Sequence, residues 1–411
     1  VDLLRRIRLG ADLGLRGEVE ADFTGLLRHR DRVVSTLVNG VQGLLRSNGV
    51  TLVSGSARVL SPDEVEVRGA AGSQRIKTRN LLLATGSVPA RPRITGLDLP
   101  GVVDSTGLLA LREPPRNLVV IGGGHIGLEF ASVFAHLGTR VTVLEVLPRV
   151  LNGFDEELAN RLQRLLESDG VRFHLSVDVQ AIEQLPDGRL AIRYLQGRDE
   201  GTATGDTVLY ATGRVAYTEG LGLDSVGIRL KGPALEVNER MQTSIPCVYA
   251  AGDVVFRFRI GLAHVAWTES QVAIQNIVGR RARMEYRAIP AVVHSIPELA
   301  GVGLTESAAL EQGYRLRVGR STYSTSGRAL GMGEPQGTVK LITEAGSGDL
   351  LGAHVVGPHA SDLIAELAVA MEMGATARDV EQVVHAHPTL SEVVQEAARN
   401  AGRATINPPG P

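Results

Sequence analysis

The feature that most constrains the fold of this chain is a glycine-rich loop, GGGHIG at residues 122–127, between two patterned segments. Before the loop, NLVVI at residues 117–121 is a short apolar run of the kind that forms a buried strand. After it, residues 128–137 predict a helix and residues 140–145 predict a second strand. A strand, a helix and a strand in this order form a βαβ unit around a parallel sheet. The loop therefore predicts an α/β fold.

The spacing of the glycines in this loop predicts the binding of a dinucleotide. Gly122 permits a tight turn, Gly124 permits close approach of a pyrophosphate, and Gly127 permits close packing of the helix on the sheet. Glu145 ends the next strand and can accept a hydrogen bond from a ribose 2′-hydroxyl. Because a carboxylate would repel the 2′-phosphate of NADP, the pattern favours NAD. The alternatives are a glycine turn with a purely structural role and, for Glu145, a solvated strand end.

Composition limits the kinds of partner that the chain can have. Its 411 residues are 43% hydrophobic and carry a net charge of −2, so it can form a large core and offers no basic field to nucleic acid. No apolar run is long enough to span a membrane, and no signal-peptide core follows the Arg-rich start. We therefore expect a cytoplasmic protein without a nucleic-acid or membrane partner.

The chain has one cysteine, Cys247, so it can form neither an internal disulfide nor a cysteine zinc cluster. Cys247 follows Pro246 beside an apolar run, and we interpret it as a small buried apolar residue rather than a nucleophile. No metal site is expected.

A weak internal duplication indicates two related nucleotide-binding units. LLLATG at residues 81–86 and VLYATG at residues 208–213 are both apolar, strand-like runs that end in Ala-Thr-Gly. The final glycine of each run, Gly86 or Gly213, lets the backbone come close to a ligand at the end of the strand. No glycine loop precedes the first run: residues 1–46 look helical, and residues 50–62 and 65–72 look like strands. The first Rossmann-like unit is therefore predicted to be incomplete.

The remainder of the chain predicts a separate C-terminal domain. Residues 155–169 form an amphipathic helical pattern that still belongs to the second unit. From about Pro290, strand-like runs at residues 339–342 and 352–356 alternate with helical patterns such as residues 361–373, which is typical of an α+β domain. The predicted divisions are residues 1–116 for the first unit, 117–237 for the second unit, 238–289 for a return to the first unit and 290–411 for the C-terminal domain.

Three further segments carry residue types suited to cofactor or thiol chemistry. Asp253 follows a glycine after a strand-like run and can accept hydrogen bonds from polyol hydroxyls, although an ordinary turn is the alternative. The segment Leu262-Ala263-His264 opens a helix whose first amides could face an electron-rich ligand atom, although a helix-start histidine is also common. His387 and Glu392 lie five residues apart, so the carboxylate could fix the tautomer of a histidine that exchanges a proton with a thiol. The alternative is a helix start with Glu392 in its first turn.

Taken together, these segments resemble the pyridine nucleotide-disulfide oxidoreductases over essentially the whole chain. The matching segments occur in the order and approximate spacing of that family: residues 105–111, the glycine loop through Glu129, residues 237–240, 250–254 and 261–264. The C-terminal HAHPTLSE, residues 385–392, is similar to the corresponding segment of the family's dihydrolipoyl dehydrogenases. Mercuric reductases lack this histidine, and glutathione reductases usually have different flanking residues.

The resemblance implies an oxidoreductase with two Rossmann-like units that bind FAD and NAD and with a C-terminal α+β dimerisation domain. It assigns Thr85, Gly86, Asp253, Leu262, Ala263 and His264 to FAD, Gly122, Gly124, Gly127 and Glu145 to NAD, Gly213 to cofactor binding, Glu129 to the surroundings of the flavin, and His387 with Glu392 to a thiol base pair. It also implies a homodimer in which the His387 segment serves the other subunit. The apolar residues around helix 361–373 make it a candidate interface element, and the alternative is a helix in the core of its own domain. Dihydrolipoamide or a lipoyl-bearing protein is the implied partner.

The start of the sequence departs from the family pattern. Members of the family begin with a glycine loop for the FAD pyrophosphate and a Cys-x4-Cys pair beside the flavin, whereas this sequence starts at Val1, just after both positions. We expect a truncated form of an ordinary enzyme, so that the 411-residue chain by itself does not oxidise dihydrolipoamide. The alternatives are a cysteine-free relative that binds nucleotides and dimerises without catalysis, or another NAD(P)H disulfide reductase of the family.

Overall fold

Two compact units, each built from separated stretches of sequence, make up the chain. The computed structural model describes residues 1–402, except residues 9, 11–13, 15–16, 18, 71 and 256–260. The first compact unit comprises Val1–Ala21, Arg91–Thr212 and Arg287–Pro411, and the second comprises Asp22–Ala90 and Gly213–Tyr286. The first compact unit therefore contains the glycine loop, which the sequence assigned to the second nucleotide-binding unit, and from here on "first unit" and "second unit" mean these two compact units.

A five-stranded parallel sheet carries the glycine loop in the first unit. Its strands, in spatial order, are Val102–Val103, Thr207–Tyr210, Asn117–Ile121, Arg140–Glu145 and Arg172–Leu175. On one side, Asn117–Ile121 pairs with the next strand of this sheet in the sequence, Arg140–Glu145. On its other side it pairs with Thr207–Tyr210, which comes much later in the sequence. The strand order therefore reverses beside the carboxyl end of Asn117–Ile121, which is where ligands bind in open α/β sheets.

The strands predicted at residues 117–121 and 140–145 are confirmed, but the helix between them begins earlier than predicted. It runs over His125–His136 rather than 128–137. Gly124 is its extended N-cap residue, so the helix starts inside the glycine loop, where apolar periodicity gives no signal. The helix predicted at residues 155–169 is Glu156–Ser168, with Asp155 as an N-cap whose side chain accepts a hydrogen bond from Leu158 N.

The C-terminal stretch of the first unit forms the predicted α+β domain. Its five-stranded antiparallel sheet has the spatial order Ala291–Val293, Glu298–Gly303, Leu350–Gly357, Thr338–Glu344 and Leu316–Thr322. The helix predicted at residues 361–373 is Ala360–Glu372, which buries Leu363, Ile364, Leu367 and Met371 in the core of this domain. The last described helix, Glu392–Gly402, buries Val393, Val394, Ala397, Ala398 and Ala401 in the same core.

The first unit contains several smaller elements as well. A three-stranded antiparallel sheet has the order Val177–Gln184, Leu190–Gln196 and Asp199–Gly205. The short helices are Asp2–Arg8, Ser105–Leu109, Glu306–Glu311, Gly327–Gly331 and Ala377–Gln382, with a 3-10 turn at Tyr323–Thr325.

The second unit combines two long helices with small sheets. The helices are Phe23–Ser47 and Ala263–Ile277, with a 3-10 turn at Asp224–Val226. The strands form one three-stranded antiparallel sheet and three pairs: Ser56–Ser61, Glu64–Gly69 and Gly72–Lys77; Leu81–Leu83 with Val248–Ala250; Ser87–Pro89 with Arg214–Ala216; and Leu230–Lys231 with Ala234–Leu235. The pair Leu81–Leu83 with Val248–Ala250 is parallel, as predicted for buried strands of a nucleotide-binding unit.

Two predictions near the start of the chain need correction, and one strand there was missed. Residues 1–46 do not form continuous helix: Asp2–Arg8 and Phe23–Ser47 are helical, and part of the intervening stretch lies outside the described residues. The strand predicted at residues 50–62 is shorter, because antiparallel pairing with Glu64–Gly69 begins only at Ser56. A third strand, Gly72–Lys77, was not predicted, because its side chains are all exposed and give no apolar signal.

The observed fold class is the predicted one, α/β with a C-terminal α+β domain. Among the described residues, no helix combines the length and the apolar character needed to cross a bilayer.

Substitutions at two glycines of the C-terminal domain, Gly319 and Gly331, test the packing of its last described helix. A Cβ atom at Gly319 would overlap the carbonyl oxygen of Ala397 and lie 2.5 Å from Ala401 N, whereas one at Gly331 would meet nothing within 4 Å. We expect Gly319→Ala to lower the free energy of unfolding by about 1–3 kcal/mol. Gly331→Ala should leave it unchanged or raise it slightly. Urea unfolding measures both, and equal midpoints for the two variants would contradict this packing.

Candidate functional site

Gly122 makes the turn at the end of the strand Asn117–Ile121. Its φ of +112° is a conformation that favours glycine. A Cβ atom there would lie 2.5 Å from the carbonyl oxygen of Ala211, which follows the neighbouring strand. The amide of Ala211 donates to the Ile121 carbonyl at 2.8 Å. Gly122 therefore occupies a position where the two strand ends lie too close for a side chain.

Gly127 and Gly124 meet different constraints in the same loop. A Cβ atom on Gly127 would overlap the carbonyl oxygen of Gly122, so Gly127 lets the helix pack on the strand end. Gly124 has a φ of −77°, which any residue adopts, and a Cβ atom there would meet none of the described atoms within 4 Å. This opening lies at the N-terminus of the helix His125–His136, where the helix dipole favours an anion. The loop thus fits a pyrophosphate beside Gly124.

Glu145 is held by the backbone around the glycine loop. It is 8% exposed, so the alternative of a solvated strand end is wrong. One oxygen, Oε2, accepts from Gly123 N at 2.5 Å, and Oε1 accepts from Leu147 N at 2.8 Å. Each carboxylate oxygen has two lone pairs, so Glu145 can also accept from a ribose hydroxyl.

The second unit brings Thr85, Gly86 and Asp253 to one edge of its parallel strand pair. Thr85 and Gly86 follow Leu81–Leu83, and Asp253 follows Val248–Ala250; parallel strands place their carboxyl ends together. Thr85 Oγ1 donates to the Tyr217 carbonyl at 2.7 Å, and the Gly86 carbonyl accepts from Tyr217 N at 2.9 Å. This edge therefore offers a carboxylate beside exposed backbone, as a polyol ligand requires.

The two Ala-Thr-Gly repeats continue into neighbouring strands. Ser87–Pro89 and Arg214–Ala216 follow the repeats directly and pair antiparallel. The Gly213 carbonyl accepts from Ala90 N at 2.9 Å. Gly213 and Gly86 have φ values of +123° and +73°, which favour glycine. Gly213 is the first residue of Gly213–Tyr286, the later of the two sequence stretches that form the second unit.

Sequence reasoning missed the residues that hold Asp253 and its turn. Ser87 Oγ donates to Asp253 Oδ2 at 2.7 Å, and Arg214 Nε in turn donates to Ser87 Oγ at 2.7 Å. Glu269, which is 2% exposed, accepts from the amide of Gly252 at 2.7 Å. The signal was present in part, because a serine and an arginine directly follow the two Ala-Thr-Gly repeats.

The predicted helix start at residues 262–264 lies beside Asp253. Leu262 is the extended N-cap of the helix Ala263–Ile277, so Ala263 and His264 are its first residues, and His264 is exposed. A Cβ atom on Gly261 would lie 2.6 Å from Asp253 Oδ1. The carboxylate of Asp253 therefore lies against the residue that precedes the N-cap of this helix.

Glu129, predicted to lie near a flavin, is bonded within the first unit. Its Oε1 accepts from His294 N at 2.8 Å. This contact ties the helix that follows the glycine loop to the start of the C-terminal domain.

His387 and Glu392 form the pair that their spacing predicts. His387 Nδ1 and Glu392 Oε1 are 2.8 Å apart, and Glu392 Oε2 accepts from Thr389 N at 2.9 Å. Burial opposes ionisation of Glu392, but the Thr389 amide and the His387 ring together hold the pKa of Glu392 below its usual value. The His387 side chain is 80% exposed, which leaves Nε2 accessible. Glu392 is also the first residue of the helix Glu392–Gly402, so the pair and the helix start are compatible.

The single cysteine, the possible metal ligands and the division of the site residues between the units complete the comparison with the sequence-based predictions. Cys247 is half-buried rather than buried, with Sγ 3.8 Å from the Pro62 carbonyl oxygen. Within the described parts of the chain, no three His, Cys, Asp or Glu side chains gather as a metal site would require. The predicted site residues divide between the units, with the glycine loop, Glu129, Glu145, His387 and Glu392 in the first and Thr85, Gly86, Gly213, Asp253 and residues 262–264 in the second.

Two family profiles match the chain. The profile described as pyridine nucleotide-disulphide oxidoreductase matches residues 9–270, and the profile of that family's dimerisation domain matches residues 289–398. The second match coincides with the antiparallel sheet and the helices packed on it.

Individual relatives cover almost the whole chain. A dihydrolipoyl dehydrogenase of Thermus scotoductus is 40% identical over 96% of this chain and 84% of its own length. A mitochondrial dihydrolipoyl dehydrogenase of Pisum sativum is 37% identical over 92% of this chain and 76% of its own length. Among solved structures, LpdA from Mycobacterium tuberculosis superposes with a TM-score of 0.88 at 27% identity, over 97% of this chain and 87% of that one.

The different constraints on Gly124 and Gly127 generate a prediction. In Gly124→Ala, the methyl group enters open space, so thermal stability should stay near that of the wild type while NADH binding weakens by about tenfold or more. In Gly127→Ala, the overlap with Gly122 should lower both the melting temperature and NADH binding. Calorimetry without and with NADH separates the two effects. Loss of stability in Gly124→Ala, or unchanged NADH affinity there, would contradict the assignment.

Proposed function

The chain belongs to the pyridine nucleotide-disulphide oxidoreductases, and from this we propose that, together with a redox disulfide that its single cysteine cannot form, it acts as a dihydrolipoyl dehydrogenase with NAD⁺ as acceptor. The observation that carries the proposal is the His387–Glu392 pair, 2.8 Å apart, on a domain matched by the family's dimerisation profile. The names of relatives at 40% and 37% identity support the same substrate.

Enzymes of this family use FAD and NAD(H), and the residues present fit both groups. In the second unit, Asp253, the turn at Thr85 and Gly86 and the helix start at residues 262–264 would hold FAD. In the first unit, Gly122, Gly124, Gly127 and Glu145 would hold NAD. When bound, the two cofactors supply the electron and hydride transfer.

The role proposed for His387 is to move the proton of the thiol. Oxidation of a dithiol to a disulfide releases two electrons and two protons; NAD⁺ takes up the electrons with one proton, and the other leaves to water. In the proposed reaction the substrate thiolate would attack a redox disulfide, which the single cysteine of this sequence does not supply. Because the thiolate is the nucleophile in that exchange, a base beside the substrate promotes the reaction. His387 Nε2 is accessible for this task, while Glu392 fixes the tautomer through Nδ1 and stabilises the imidazolium that forms.

The proposed enzyme is a homodimer in which the His387 segment serves the other subunit. The helix Ala360–Glu372 buries one side in its own domain, but Val369 and the adjacent Met373 are 65% and 80% exposed. An apolar surface on a dimerisation domain fits a two-fold contact with a second copy.

The proposal predicts NAD⁺-linked oxidation of dihydrolipoamide by the product of the gene, purified from its own host. Because a buried carboxylate at the ribose position proposed for Glu145 would repel a 2′-phosphate, kcat/KM for NADP⁺ should be lower than that for NAD⁺ by about tenfold or more. Steady-state assays with each nucleotide measure both quantities. No turnover of dihydrolipoamide would refute the substrate, and comparable values for the two nucleotides would refute the role of Glu145.

The proton-transfer role predicts a specific effect at Glu392. In Glu392→Gln, the neutral amide cannot stabilise the imidazolium, so kcat for dihydrolipoamide should fall by about 100-fold. Asp362→Asn is the matched control, because Asp362 also bonds a histidine Nδ1, that of His359 at 3.3 Å, in the same domain. Stopped-flow and steady-state rates across pH measure the effect. Equal rates for the two variants would count against the base pair.

A further inference from the structure

A fully buried lysine of the C-terminal domain lies among three carboxylates. Lys340, on the strand Thr338–Glu344, is 2% exposed. Its Nζ lies 2.9 Å from both oxygens of Asp155, 2.9 Å from Glu157 Oε2 and 2.7 Å from Glu306 Oε2. Arg320 adds a second cation, 2.8 Å from Glu157 Oε2 and 3.4 Å from Glu306 Oε2. We call these five residues the Lys340 cluster.

The charges of the Lys340 cluster depend on one another. Burial opposes the charged form of Lys340, but hydrogen bonds to Glu306, Asp155 and Glu157 hold the pKa of Lys340 above its usual value. Burial likewise opposes ionisation of Glu157, yet hydrogen bonds from Arg320 and Lys340 lower the pKa of Glu157 to about 2. The contacts of the cluster therefore favour the charged forms of Lys340 and Glu157. Lys340 and Asp155 are each 2% exposed, so removing either one leaves the other buried with fewer partners, and the pair is tightly fixed.

Asp155 links this cluster to the wall of the NAD site. Asp155 directly follows the segment 146–154, which itself follows Glu145, and it is the N-cap residue of the helix Glu156–Ser168. Within that segment, the amide of Leu147 binds Glu145 Oε1 at 2.8 Å, and the amide of Leu151 donates to the Gly123 carbonyl at 2.9 Å. The contacts that orient the ribose carboxylate and the glycine loop therefore come from a stretch whose far end is Asp155.

The backbone of this segment is strained and needs support at both ends. Leu151 has a φ of +52°, a left-handed conformation that is unfavourable for a leucine. It is 2% exposed, and Val150 beside it is fully buried. Glu145 holds the segment at its start through Leu147, and the Asp155–Lys340 ion pair holds it at its end. A strained backbone of this kind persists only where its surroundings fix it.

We propose that Lys340 is a positioning residue for NAD(H): by fixing Asp155 it holds the segment 146–154 against Glu145 and Gly123. The C-terminal domain thereby tunes the affinity and the selectivity of the dinucleotide site through one buried ammonium group. The proposal rests on the NAD site described under the proposed function.

The test compares two variants of the full chain, each of which neutralises one of the carboxylates that contact Lys340. Asp155→Asn removes the carboxylate that ends the segment but keeps an oxygen that can cap the helix. Glu306→Gln, the matched control, removes a carboxylate 2.7 Å from Lys340 that belongs to a different helix, Glu306–Glu311. If Asp155→Asn does not fold, Asp155→Ser supplies a smaller cap at the same position.

Titration calorimetry with NADH and NADPH, together with the melting temperature, gives the readout. We expect Asp155→Asn to raise the Kd for NADH by about tenfold and to reduce the preference for NADH over NADPH, because Glu145 loses its fixed orientation. Glu306→Gln should lower the melting temperature similarly but change the Kd by less than about twofold. Equal Kd changes in the two variants, or unchanged Kd and selectivity in Asp155→Asn, would overturn the proposal. Absence of saturable NADH binding in the wild type would instead remove the NAD site itself, and the proposal with it.

Discussion

Close approach of main-chain atoms at the glycine loop is the constraint on which the first unit depends. The strand end at Gly122, the neighbouring Ala211 and the helix turn at Gly127 meet without room for a Cβ atom. Because they do, the helix His125–His136 starts at the sheet edge, beside the open space at Gly124. Glu145 then closes the other side of the loop through the amide of Gly123. The proposed dinucleotide site therefore depends mainly on backbone geometry, and Glu145 is the charged side chain bonded to the loop.

Several buried ionisable side chains of the chain have hydrogen-bond or ion-pair partners in the folded interior. Glu145 is satisfied by two backbone amides, Glu269 binds the amide of Gly252, and Lys340 lies among carboxylates. In each case a polar group removed from water keeps hydrogen-bond partners, which is the condition for tolerating its burial. These groups also connect a ligand-facing turn to a more rigid element, so the stability of the fold and the shape of the sites are linked.

Sequence patterns located the candidate sites more reliably than they located the elements around them. The His387–Glu392 spacing predicted a contact that is 2.8 Å in the structure, and the repeat at residues 81–86 predicted the strand that leads to Thr85 and Gly86. By contrast, the exposed strand Gly72–Lys77 and the early start of the helix at His125 gave no apolar period to read. Apolar periodicity indicates which side of an element is buried. It therefore does not detect an exposed strand that forms by backbone pairing, or a helix start within a glycine loop.

The sequence by itself determined the βαβ unit, the roles available to its glycines, the single cysteine and the resemblance to a family of flavin- and nicotinamide-dependent disulfide oxidoreductases. Those features depend on local spacing along the chain. Only the tertiary structure decided that Glu145 is buried, that Arg214 and Ser87 support Asp253, and that Lys340 meets Asp155. These contacts join residues up to 185 positions apart. Their energies arise from desolvation and hydrogen bonding in the folded interior, which local patterns do not encode.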